Sequence, residues 1–149
     1  MKTIVLIDDN KDSLQFLREA MNADDADIQC LSFVFADEAV AGLLNGVIER
    51  PFSIFINLDL RGASGLQSLQ DLRSARHLDN TPIVAYASSI SDEIALTLQE
   101  AGLVLTFHKP NTIRAWKDVV RETLTSIQVP DLDMEALIAH SRNQLFFTS

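Results

Sequence analysis

Five short apolar runs, separated by stretches of helical periodicity, constrain this chain more than any other feature. TIVLI at 3–7 is continuous and rich in β-branched residues, as suits a strand covered on both faces. Further strands are predicted over 28–34, 52–58, 82–87 and 103–107. Between them, Leu14, Leu17 and Met21 share one face of a helix over 11–22, with Asp9 or Asn10 as its cap. Leu66, Leu69 and Leu72 do the same over 65–76. Helical spacing also marks 38–48 and 91–101, the latter opened by Ser91 and closed by Gly102. A last helix runs from a cap at Asn111 to residue 127, with Ile113, Trp116, Val120, Leu124 and Ile127 in one stripe. Strand–helix alternation repeated in this way argues for an α/β fold, a parallel sheet with helices on both faces. In open sheets of this kind the functional site lies beyond the carboxyl ends of the strands.

The chain has 149 residues, enough for one domain with a proper core. Its apolar runs are too short for a membrane-spanning helix, and the carboxylates of MKTIVLIDD come too early for a signal peptide. The only cysteine, Cys30, cannot form an internal disulfide and reads as a small core residue. A cytoplasmic protein is therefore expected. The formal net charge of -9 argues against broad nucleic-acid binding, which needs a basic face. Neither nucleic acid nor membrane is expected as a partner.

The strand-end residues are Asp8, Asp9, Asn57, Ala87, Ser88 and Lys109. Two adjacent carboxylates repel one another, and a hard cation such as magnesium relieves that repulsion. The plainer alternative makes Asp9 a helix cap and Asp8 a solvated acid. Lys109 either faces the two acids, or an anion, or is a solvated lysine before a proline. An enzyme on this scaffold is disfavoured. No Gly-rich phosphate cradle follows the first strand, and His77, His108 and His140 have no ligand spacing.

Taken together, VLIDDN, FINLDLRGASGLQSLQDLR, TPIVAYAS and EAGLVLTFHKP resemble the receiver domain of two-component response regulators. The resemblance covers residues 2–127. It implies a doubly wound (βα)5, flavodoxin-like or CheY-like, three-layer sandwich with strand order 2-1-3-4-5. In such receivers the acidic pair helps hold magnesium, and Asp8 and Asp9 match it. The phosphorylated aspartate ends the third strand, where this chain has Asn57. The residue two places later gives magnesium its backbone carbonyl, here Asp59. The Thr or Ser that follows the phosphoryl group is replaced by Ala87, and the aromatic switch on the fifth strand by Thr106. The phosphoryl-contacting lysine is present as Lys109, and its bond to Pro110 is a cis candidate.

The resemblance implies an atypical, degenerate receiver. An amide cannot form an acyl phosphate, Ala87 offers no hydrogen bond, and Thr106 lacks a ring. No cofactor is required and magnesium binding is expected to be weak. Lys109 pairing with Asp8 or Asp9 would lock the site by an internal ion pair. The expected role is phosphorylation-independent interaction with a signalling protein, either a histidine kinase, a phosphotransfer protein or an output protein. The alternative is phosphorylation of another acid such as Asp59 by a histidine kinase with magnesium; deamidation of Asn57 is disfavoured by the bulky Leu58. The receiver-like domain is taken as 1–128 and a helical C-terminal extension as 129–149, capped by Asp133. Homodimerisation would use that extension or the face of the fourth helix, fifth strand and fifth helix.

Overall fold

The computed structural model describes residues 1–62, 64–102 and 104–128. The expected helical extension over 129–149 lies outside the described residues. Strands β1 (Lys2–Ile7), β2 (Ile28–Phe33), β3 (Ser53–Asn57), β4 (Ile83–Ala87) and β5 (Val104–His108) alternate with helices α1 (Lys11–Asp24), α2 (Ala36–Leu44), α3 (Gly65–Arg73), α4 (Asp92–Glu100) and α5 (Ile113–Gln128). The strands form one parallel sheet in the order β2-β1-β3-β4-β5. The expected three-layer architecture is therefore the one observed.

Strand alternation divides the interior into two cores. Ile4, Leu6, Phe55, Val84, Tyr86, Leu105 and Phe107 point toward α1 and α5, where they meet Leu17, Trp116 and Val120. Val5, Ile7, Ile54, Ile56, Ile83 and Ala85 point the other way and meet Leu43, Leu69 and Leu98. Tyr86, Phe107 and Trp116 pack as one aromatic group, with Tyr86 and Phe107 stacked at 5.1 Å and Trp116 edge-on to both. Trp116, 2% exposed, is thus a core residue. Cys30 is half-buried against the first core, and burial pushes its thiol pKa up despite nearby Arg18. A raised pKa disfavours the reactive thiolate.

The helix ends differ from the expected ones for local reasons. Asn45 and Gly46 stop α2 well before residue 48, because Gly46 takes a φ of 80° that a side chain resists. Helix α3 stops at Arg73, and a short 3-10 turn (Arg76–Leu78) follows. Thr112, not Asn111, caps α5, since its hydroxyl accepts the Ala115 N–H at 3.1 Å. Gly102 ends α4 with a φ of 91°, as its position after the helix predicts. No helix among the described residues is long and apolar enough to cross a membrane.

Candidate functional site

The three central strands deliver Asp8, Asn57 and Tyr86 to one place. Asp8 directly follows β1, Asn57 ends β3, and Tyr86 lies opposite Asn57 on β4. By alternation each continues the α1/α5 face: Leu6 precedes Asp8 on it, Phe55 precedes Asn57, and Val84 precedes Tyr86. All three side chains are buried, Asp8 and Tyr86 at 0% exposure and Asn57 at 2%. A carboxylate in such a place needs hydrogen bonds to be tolerated.

Asp8 has three donors. Its Oδ1 accepts the Asn57 Nδ2–H at 3.1 Å and the Asn10 N–H at 2.9 Å. Its Oδ2 accepts the Tyr86 hydroxyl at 2.8 Å. Burial first, and then the neighbouring Asp8 carboxylate, push the Tyr86 pKa well above its ordinary value. The phenol therefore stays protonated and keeps donating. Asn57 is used at both ends, because its Oδ1 accepts the Asp59 N–H at 2.9 Å. That bond also fixes which end of the amide faces Asp8.

A rim of looser polar contacts surrounds this group. Asp9 Oδ2 accepts the Arg61 N–H at 2.9 Å, tying the β1–α1 loop to the β3–α3 loop. Asp59 Oδ2 accepts the Ser88 N–H at 2.7 Å, tying the β3–α3 loop to the β4–α4 loop. Asn10 caps α1 by accepting the N–H groups of Asp12 and Ser13. Above these contacts lies a polar cleft of about 350 Å³ lined by Asp9, Asn10, Asn57, Asp59, Arg61, Ser88 and Lys109.

The structure thus gathers Asp8 with Asn57 and places Asp9, Asp59 and Lys109 around one cleft. Ala87 and Thr106 do not line that cleft: both are buried, and by alternation they continue the strand faces of Ala85 and Val104. Two expectations are corrected. The Lys109–Pro110 peptide is trans, the favoured isomer even before proline, and the Lys109 N–H still reaches Ala87 O at 2.8 Å. Nor does Lys109 pair with Asp8 or Asp9. The ion pairs among the described residues include Met1–Asp27, Lys2–Asp25 and Arg121–Asp118, none of them involving Lys109. Neutral donors already satisfy Asp8, so the lock consists of hydrogen bonds and not of an ion pair.

The magnesium ion that the resemblance implies fits these residues poorly. Asp8 is enclosed by its three donors, and Asp9 Oδ2 holds the Arg61 N–H. Among the described residues no group of three or more His, Cys, Asp or Glu is placed to hold a metal.

Tyr86 is the residue that sequence reasoning missed. A signal existed: a tyrosine near the end of a fully buried strand must find a partner for its hydroxyl. Alternation puts it on the face of Phe55 and Asn57. Ser88 joins the site through its backbone N–H, while its side chain is exposed.

No protein-family model and no curated protein matches the chain. Solved structures do. The phosphorylated cyanobacterial phytochrome response regulator RcpA is 18% identical, with a TM-score of 0.76 over 89% of this chain and 97% of that one. The manganese-bound form of the response regulator Rcp1 is 17% identical, with a TM-score of 0.75 over 90% and 99%. The chemotaxis response regulator CheY4 of Vibrio cholerae is 18% identical, with a TM-score of 0.69 over 85% and 98%. At these identities the comparison speaks to architecture alone, and the chain has the fold of the CheY-like receiver domains of response regulators.

Proposed function

We propose that this chain is a receiver-type module of two-component signalling that works without an acyl phosphate. One observation carries the reading: Asn57 stands at the end of β3, where receivers have their reactive aspartate, and is already hydrogen-bonded to Asp8 on one side and to Asp59 N–H on the other. An amide there offers no carboxylate nucleophile. Its N–H does for Asp8 what a cation does in a metal-bound acidic pocket. The module catalyses no reaction of its own and requires no magnesium. Its partners are signalling proteins of the same kind of system: a kinase, a phosphotransfer protein or an output protein. Asp59 is a poor substitute phosphoacceptor, because its carboxylate is engaged by Ser88 N–H at 2.7 Å.

The test is intact mass after incubation with magnesium and a small-molecule phosphodonor, for the wild type and Asn57→Asp side by side. The expected result is no phosphoryl adduct on the wild type. An adduct on the wild type overturns the proposal, and mapping it to Asp59 establishes a phosphorylated receiver with a displaced acceptor.

A further inference from the structure

We propose that Asp59 is an internal latch that sets the position of α4. Asp59 lies in the loop after β3, and its carboxylate reaches across to the loop after β4, where Oδ2 accepts the Ser88 N–H at 2.7 Å. Its own N–H is held by Asn57 Oδ1 at 2.9 Å. A continuous chain of hydrogen bonds therefore runs from Asp8 through Asn57 and Asp59 to Ser88. Just beyond Ser88, Ser91 caps α4 by accepting the Ile94 N–H at 3.2 Å. The hydrogen-bonded chain from the buried centre thus ends three residues before the cap of α4.

Helix α4 is weakly anchored along the rest of its length. It fully buries only Leu98, whereas α2 buries Ala36, Ala39 and Leu43, and α3 buries Gly65, Ser68, Leu69 and Leu72. Leu96 is 57% exposed. An element with so few buried apolar contacts opens at low free energy, and its position depends on how its ends are tied. The tie ahead of its amino end is the solvent-exposed, charge-assisted bond from Ser88 N–H to Asp59. A carboxylate supplied by the chain itself thereby holds the β4–α4 loop, with no added anion. The latch stands on geometry alone. Its meaning, a constitutively presented α4 surface, rests on the function proposed above.

Hydrogen exchange on the full chain tests it, comparing the wild type with Asp59→Ala and Asp59→Asn. Asp59→Ala is expected to speed exchange at Ser88 and through α4 about tenfold, as befits the loss of one charge-assisted bond. Amides of α1, α3 and α5 should hold their wild-type rates. Asp59→Asn keeps an acceptor oxygen without the charge and should fall between. Faster exchange confined to Ser88 overturns the latch, and so does an equal rise in every helix. A phosphoryl adduct on the wild type would overturn the proposed function while leaving this result untouched. Unchanged α4 exchange would overturn the latch alone.

Discussion

Replacing Asn57 by aspartate should make the stability of the folded chain respond to a divalent cation. The substitution removes the Nδ2–H that Asp8 Oδ1 accepts at 3.1 Å and sets a second carboxylate beside a carboxylate that is 0% exposed. Two unit charges about 4 Å apart repel by about 4 kcal/mol at an effective dielectric of about 20. The lost bond to a charged acceptor adds about 1.5–3 kcal/mol. Proton uptake and water entry relieve part of this, leaving an expected loss of about 2–4 kcal/mol at neutral pH without metal. The introduced carboxylate should hold its proton above the ordinary carboxylate range. The folded variant then binds more protons than its unfolded chain, so its stability falls as pH rises toward neutrality and recovers on acidification. A divalent cation that binds only the folded variant restores about 2.7 kcal/mol at a concentration of about a hundred times its dissociation constant. Urea unfolding of both proteins, at neutral and mildly acidic pH, with and without millimolar magnesium, measures all of this. Two results would refute the reasoning: a variant as stable as the wild type without metal at neutral pH, or magnesium stabilising the wild type as much as the variant.

Two further substitutions test the surroundings of the same group. Tyr86→Phe deletes the hydroxyl that reaches Asp8 Oδ2 at 2.8 Å and should cost about 1.5–3 kcal/mol in urea unfolding. Because the folded pKa of Tyr86 is raised, the wild type should also lose stability as pH climbs above about 10, where the unfolded phenol ionises. Tyr86→Phe should flatten that slope, and since Tyr86 is the only tyrosine, phenolate absorbance reads its titration directly. Gly65→Ala would bring a Cβ to 2.7 Å from both Asn57 O and Leu58 Cα. Backbone cannot yield as a side-chain tip does, so a loss of about 1–3 kcal/mol is expected, read by thermal or urea unfolding.

The fold was legible because its signals are local. Apolar runs too short for helices, helical stripes such as Leu66, Leu69 and Leu72, and the glycine at 102 each announce one element without reference to the rest. The errors were local too. Residues 47 and 48 continue an apolar pattern past the point where Asn45 and Gly46 have already turned the backbone. Thr112 and Asn111 are both competent caps, and only the geometry of the turn decides between them.

The site was legible in its members but not in its bonds, and the reason is strand order. Asp8, Asn57 and Lys109 are strand-end residues whatever the order of the sheet. Whether Lys109 or Tyr86 satisfies Asp8 depends on which side chains share a face and how far apart their strands lie. β5 is two strands from β3 and three from β1, whereas β4 is adjacent to β3, and the Asn57↔Tyr86 register brings the phenol to the same face. Tyr86 is long enough to reach past Asn57 to Asp8, and its aromatic body is held by Phe107 and Trp116. Charge counting suggested an ion pair because it weighs only charged groups. A fully buried carboxylate gains more from close, fixed, neutral donors than from a long side chain that must lose water and conformational freedom to arrive. The amide and the phenol together therefore explain how a buried carboxylate is held at the end of β1, beside a strand that ends in an amide.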